Sequence, residues 1–92
     1  MDDRVRAHVV VRGVVQGVWF RAGTEREARL LGLEGWVRNA ADGSVEGVFE
    51  GSRLTVEQMI DWCHIGPPHA IVDEVEVTWL PAEGEQGFRT RY

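Results

Sequence analysis

The sequence lacks several residues on which common protein chemistries depend. Its 92 residues include no lysine, which excludes Schiff-base catalysis and the lysine of a phosphate-binding P-loop. The single cysteine, Cys63, cannot form an intramolecular disulfide or a cysteine-rich zinc site. No apolar run approaches the ~20 residues of a membrane span, and the sequence does not open with a basic and then apolar signal segment. We therefore expect a cytoplasmic protein with no membrane association.

Positive charge is also scarce in this chain. Fifteen acidic residues against ten arginines give a formal net charge of −5. Because affinity for nucleic-acid backbones comes mainly from clustered lysine and arginine, this composition argues against a dedicated polyanion binder. Any anion site must therefore be local. The length suits one compact domain over residues 1–92 and is too short for two.

The first part of the chain has the pattern of a strand followed by a helix. Residues 4–12 alternate apolar and charged side chains, as a half-buried strand does, and Gly13 and Gly17 are then expected to break the strand. From Phe20 onwards, apolar and small residues recur at helical spacing. Gly32 suits the C-terminal cap of that helix.

The rest of the chain predicts a hairpin, a second helix and two further strands. Residues 34–51 alternate around a turn, and Thr55 with Gln58 fits a capping box at the start of a helix. A β-branched strand over residues 71–80 and a short strand over residues 88–92 follow. The order β-α-β-β-α-β plus a terminal strand predicts an α+β, ferredoxin-like split βαβ sandwich. Both helices should cover one face of an antiparallel sheet.

The segment between the first strand and the first helix carries the most chemical information. Backbone N–H groups of a glycine-bearing loop at a helix N-terminus can converge on a small anion. Arg21, in the first helical turn, faces the positive end of the helix dipole, which costs about 0.3–1 kcal/mol unless an anion sits in the loop. Alternatively, Arg21 pairs with Glu25 one turn further on, and the spacing alone leaves both interpretations open.

Two long motifs resemble the signatures of the acylphosphatase family. Residues 13–21 read G-V-V-Q-G-V-W-F-R and resemble the family's phosphate-binding loop, G-x-V-Q-G-V-x-F-R. Residues 35–45 read G-W-V-R-N-A-A-D-G-S-V and are similar to its second signature, G-x-V-x-N-x-x-D-G-x-V. Residues 66–72 and 88–92 resemble later landmarks of the family. The similarity therefore spans nearly the whole chain, and the predicted element order agrees with the family's fold.

The resemblance implies hydrolysis of acyl phosphates, the mixed anhydrides of a carboxylic acid and phosphate. By position, Arg21 matches the family's phosphate-binding arginine, and Asn39 matches the asparagine that holds the attacking water. The loop amides that match the phosphate cradle are those of Val14, Val15, Gln16, Gly17 and Val18. We expect a small-molecule acyl phosphate as substrate and inorganic phosphate as product and inhibitor. We expect no cofactor, no metal and no nucleic-acid partner, and a monomer.

Two positions depart from or vary within the family's pattern. Ala40 lies where many relatives carry threonine beside the asparagine, and Trp19 fills a variable position at the edge of the loop. These differences bear on rate and substrate preference rather than on the class of reaction.

Several of these residue types also have plain structural interpretations. An asparagine before Asp-Gly, as at Asn39, is typical of a turn. Cys63 falls on the apolar face of the second helix, which favours a buried structural thiol over a nucleophile. The three histidines, His8, His64 and His69, do not have the spacing of a metal site.

Two other functions remain open on the sequence alone. A domain with this fold could bind a small anion without turnover. Ferredoxin-like domains also include RNA-binding modules, which stack bases on aromatic residues of the sheet. The first strand offers Arg4, Arg6 and His8 on one face. The third strand is expected to present Glu46 and Glu50 on that same face and has no stacking aromatics there.

Overall fold

The computed structural model describes residues 4–92 and contains five strands and two helices in the predicted order. Their bounds are β1 (Arg4–Val14), α1 (Phe20–Leu30), β2 (Glu34–Asn39), β3 (Val45–Ser52), α2 (Arg53–Ile65), β4 (Ile71–Pro81) and β5 (Phe88–Arg91). The strands form one sheet in the order β4-β1-β3-β2-β5. Within the described residues, no helix is long and apolar enough to cross a membrane.

The sheet confirms the ferredoxin-like prediction and differs from it at one edge. The pairs β1–β3, β1–β4 and β2–β3 are antiparallel, whereas β5 runs parallel to β2. The parallel direction of β5 follows from the path of the chain between β4 and β5. The chain leaves β4 at Pro81, beside the start of β1, and crosses the same end of the sheet to reach Phe88, beside the start of β2.

Both helices cover the same face of the sheet, as predicted. Alternate residues of β1 are buried on this face, among them Val9 at 0% exposure. The side chains that α1 and α2 bury in the same core are Phe20, Thr24, Ala28, Val56, Met59 and Cys63. The periodicity of the sequence therefore identified the core faces of both helices.

Two element boundaries differ from the predictions by two or more residues. Gly13 does not end β1, which continues to Val14 through a shift in register against β4. Gly13 has φ 135°, and a Cβ there would lie 2.1 Å from the Ile71 carbonyl oxygen, so glycine permits the close approach. The second helix begins earlier than the predicted capping box. Ser52, the last residue of β3, caps it by accepting a hydrogen bond from the N–H of Thr55 at 3.3 Å.

The C-terminal end of α1 matches the prediction. Gly32 has φ 71°, its N–H bonds the carbonyl of Arg29 at 3.1 Å, and the N–H of Leu33 bonds the carbonyl of Ala28 at 2.9 Å. This pair of bonds is the Schellman motif. It terminates α1 and turns the chain into β2.

Side chains of α1 also occupy the outer edge of β5. The N–H of Thr90 donates to Glu25 Oε2 at 3.2 Å, and Arg29 Nη2 donates to the carbonyl of Phe88 at 2.9 Å. These bonds use backbone groups that a sheet edge otherwise leaves free for another strand. They join the helix next to the candidate loop to the last strand of the sheet.

The opposite face of the sheet contains a buried carboxylate. Glu50 on β3 is 0% exposed and accepts a hydrogen bond from Arg6 Nη1 at 2.7 Å. It also accepts backbone N–H bonds from Glu83, Gly84 and Glu85 at 2.8–3.0 Å. Burial alone raises the pKa of this carboxyl, but the backbone N–H groups and the guanidinium together hold the pKa below its ordinary value. Glu50 thereby fastens the connection between β4 and β5.

Candidate active site

A cavity of about 280 Å³ opens where the loop after β1 meets the start of α1. It brings together the side chains of two separate sequence motifs, Arg21 from the first and Asn39 from the second. The remaining lining is mainly apolar. The lining residues are Val15, Gly17, Trp19, Phe20, Arg21, Ala22 and Asn39.

Arg21 does not pair with Glu25, which was the alternative interpretation of its position. Glu25 instead forms an ion pair with Arg29 at 3.3 Å. The guanidinium carbon of Arg21 lies over the ring of Tyr92, 4.6 Å from its centroid. Within residues 4–92, no carboxylate lies within ion-pairing distance of Arg21, so an anion in the cavity can take that place.

The backbone at the start of α1 leaves its N–H donors available. Trp19 is the N-cap residue and makes no side-chain cap hydrogen bond. The first N–H groups of a helix have no partner within the helix, and they attract anions when no side chain caps them. Two residues in left-handed conformations, Gly17 at φ 76° and Trp19 at φ 68°, curl the loop towards this helix end.

The five residues predicted to form the phosphate cradle do not all line the cavity. Val15 and Gly17 line the cavity. Val14 belongs to β1, where it lies opposite Ile71. Val18 is partly buried against the core. The loop proper is therefore shorter than the predicted one and begins at residue 15.

The side chain of Gln16 has a contact that the sequence analysis missed. Its amide Nε2 donates to the carbonyl oxygens of Ala40 at 2.8 Å and Ser44 at 2.9 Å. These two residues flank the turn between β2 and β3, directly after Asn39. Gln16 thus joins the two motifs. A polar side chain inside an otherwise apolar loop was the only signal of this role.

The turn after Asn39 is held by its neighbours. Asp42 Oδ1 accepts hydrogen bonds from the N–H of Ser44 at 2.9 Å and from its hydroxyl at 2.6 Å. These bonds hold the pKa of Asp42 below its ordinary value. Asp42 and Ser44 therefore account for the turn chemistry that Asn39 was also considered for, and Asn39 lines the cavity.

The other candidate groups have structural surroundings. Cys63 is 1% exposed, and burial raises the pKa of its thiol to about 12, so this thiol is not an activated nucleophile. His8 Nε2 lies 2.6 Å from Glu46 Oε2 on the open face of the sheet, which places Glu46 and Glu50 on the face of Arg6 and His8 as expected. Among residues 4–92, no three His, Cys, Asp or Glu side chains are grouped to hold a metal ion.

Fold and cavity together define a small α+β protein with one arginine and one amide side chain facing a strand-to-helix loop. Comparison with known proteins makes the assignment specific. The family model described as Acylphosphatase matches residues 7–90. An acylphosphatase of Natronomonas pharaonis is 53% identical over 91 residues, which cover 99% of each chain.

Solved structures agree with these relatives. An acylphosphatase from Bacillus subtilis has a TM-score of 0.93 at 34% identity and covers 96% of this chain and 99% of its own. An acylphosphatase from Coxiella burnetii has a TM-score of 0.92 at 38% identity over 97% of this chain and 94% of its own. The chain belongs to the acylphosphatase family, which confirms the family that the two motifs predicted.

Proposed function

We propose that this protein hydrolyses acyl phosphates to a carboxylate and inorganic phosphate. The observation that carries the proposal is the shared cavity of Arg21 and Asn39 beside an uncapped helix N-terminus. In this proposal, water attacks phosphorus directly. The bond between phosphorus and the acyl oxygen breaks, and the carboxylate leaves with the electron pair.

The phosphate group is bound by the loop and by Arg21. Backbone N–H groups of residues 15–18 donate to its oxygens, and the guanidinium of Arg21 binds two of them at once. Charge that develops in the transition state is neutralised by the same donors, which are already oriented before reaction. Arg21 is therefore needed for both binding and turnover.

The attacking water is oriented by Asn39. An amide side chain both accepts and donates hydrogen bonds, so it can fix a water opposite the leaving group. It cannot take a proton at neutral pH. The proton of the water passes to a phosphoryl oxygen of the substrate or to bulk water.

This set of groups is sufficient for the reaction because the substrate is already activated. A carboxylate leaves without a strong general acid, and phosphoryl transfer mainly requires positioning and charge neutralisation. We therefore propose that turnover needs no added metal. We propose further that the enzyme acts as a cytoplasmic monomer, which size-exclusion chromatography with light scattering can test for the oligomeric state.

The test is release of phosphate from benzoyl phosphate, with and without a chelator. Arg21→Gln should lower kcat/KM by at least about 10³-fold and abolish inhibition by inorganic phosphate. Arg26→Gln on the exposed side of the same helix is the matched control and should retain both. Phosphate binding without turnover in the unmodified protein would contradict the proposal and identify a non-catalytic anion-binding protein.

A second variant separates water placement from phosphate binding. Asn39→Ala should lower kcat by about 10²-fold, the cost of a misplaced reactant, while inorganic phosphate still competes. If kcat holds and only the melting temperature falls, Asn39 serves the turn and not the reaction.

A further inference from the structure

Within residues 4–92, Trp19 differs from the other three tryptophans in having no aromatic ring or cation stacked on its indole. Trp62 packs against Phe20 with ring centroids 5.4 Å apart, and Arg91 and Arg53 stack on Trp36 and Trp79 at 4.7 Å and 4.4 Å. Trp19 is 78% exposed, and within residues 4–92 no aromatic ring or cation stacks on it. A large apolar surface is left open at this position.

Trp19 combines an unusual backbone conformation with a position in the lining of the cavity. Its φ of 68° and ψ of 18° make it the only non-glycine residue with a positive φ in the described part of the chain. Such a backbone conformation is unfavourable for a bulky side chain and is found mostly at functional sites. Trp19 lines the same cavity as Arg21 and Asn39.

The cavity has room for more than a phosphate group. Its volume of about 280 Å³ is roughly nine times the share of one water molecule in the liquid. The polar groups cluster at Arg21, Asn39 and the loop, while Val15, Phe20 and Ala22 supply an apolar remainder. An acyl phosphate is divided in the same way, into a charged phosphate and an acyl group.

We propose that the indole of Trp19 is the binding surface for the acyl half of the substrate and makes the enzyme prefer planar, aromatic acyl groups. This proposal rests on the proposed acyl phosphate hydrolysis. An aryl ring stacks offset on an indole face more favourably than an alkyl group of few atoms does. Arg21 and the loop fix the phosphate, and Trp19 selects what is attached to it.

The experiment compares benzoyl phosphate with acetyl phosphate, which differ only in the acyl group. Trp19→Ala should lower the ratio of the kcat/KM value for benzoyl phosphate to that for acetyl phosphate by about three- to tenfold. Trp19→Phe should retain most of the preference. Trp79→Ala, which removes a tryptophan that lines a different cavity, is the matched control and should leave the ratio unchanged.

Trp19→Asn separates the ring from the backbone conformation. Asparagine adopts a positive φ more readily than tryptophan, so this variant should fold at least as well and still lose the aromatic preference. An unchanged ratio in Trp19→Ala and Trp19→Asn overturns the proposal. Equal losses with both substrates also overturn it, because they assign Trp19 to the loop conformation alone.

A binding measurement tests the ring independently of turnover. Phenacylphosphonate and acetonylphosphonate replace the bridging oxygen of the two substrates with a methylene group and cannot be hydrolysed in the same way. By calorimetry, the unmodified protein should bind the phenacyl compound more tightly than the acetonyl compound. Trp19→Ala should reduce the ratio of the two dissociation constants by about three- to tenfold. If neither substrate is turned over but this preference is present, the hydrolase proposal fails and the acyl-binding role of Trp19 stands.

Discussion

Replacing Gln16 with methionine tests whether the loop and the turn must be held together for catalysis. Methionine is similar in length and cannot donate hydrogen bonds, so Gln16→Met removes the bonds of 2.8 Å and 2.9 Å to the carbonyls of Ala40 and Ser44. Each carbonyl keeps another donor, since Gly43 N–H bonds Ala40 O and Ala40 N–H bonds Ser44 O. No buried acceptor is left without a partner.

The magnitude follows from those remaining bonds. A neutral hydrogen bond contributes about 0.5–1.5 kcal/mol net, and the larger penalty for an orphaned acceptor does not apply here. The two bonds therefore contribute about 1–3 kcal/mol to the relative placement of loop and turn. If that placement is needed in the transition state, kcat falls roughly 5- to 160-fold.

Steady-state hydrolysis of acetyl phosphate is the assay, read together with inhibition by inorganic phosphate. Gln16→Met should lower kcat far more than it weakens phosphate inhibition, because the loop amides and Arg21 remain. Gln58→Met on the exposed side of α2 is the matched control. A kcat for Gln16→Met within twofold of the unmodified enzyme, at a temperature where both are folded, refutes the reasoning.

Three further experiments test the fold. Glu50→Gln leaves Arg6 without its buried partner and should cost about 3 kcal/mol in urea unfolding at pH 7. Because folding lowers the pKa of Glu50, its contribution to stability is complete above the unfolded pKa of about 4.3 and is lost as the pH falls. Between pH 5 and 3, the variant should therefore lose less stability than the unmodified protein. Equal losses of stability would contradict this. Gly35→Ala places a Cβ 1.9 Å from the Val48 carbonyl oxygen and should destabilise the protein by more than about 2 kcal/mol in urea unfolding. Gly43 also has a positive φ but has open space around it, so Gly43→Ala should cost less in the same measurement. The thiol of Cys63 should react with an aromatic disulfide reagent only in denaturant, and rapid labelling of the native protein would show that it is not buried.

Much of the fold could be predicted because its elements are amphipathic. The alternation in β1 and the helical spacing from Phe20 identified which side chains face the core. The parallel pairing of β5 could not be predicted in the same way, because a strand's direction depends on where the preceding connection carries the chain. Here that connection is fastened by Glu50, an acidic residue whose pattern alone suggests a solvated face.

In the candidate site, too, the features with a local sequence signal could be predicted and the long-range contacts could not. Arg21 and Asn39 were each predicted from a motif of consecutive residues, and they line one cavity. The contacts of Gln16 with residues 24 and 28 positions away, and of Arg21 with Tyr92, have no local periodicity that could reveal them. The backbone of Trp19 was missed because propensity favours glycine or asparagine at a positive φ.

The bonds between α1 and β5 have a consequence for how the protein is made. A ribosome synthesises Arg21 and Asn39 long before Phe88 and Thr90, yet the helix that carries Arg21 is held by these late residues. A nascent chain stalled before residue 88 therefore has both motifs outside the tunnel but lacks one of the strands against which this helix packs. Domains generally fold as units, so productive folding waits for residues 88–91 to emerge. Until then, the exposed apolar side of the helix is a target for chaperones.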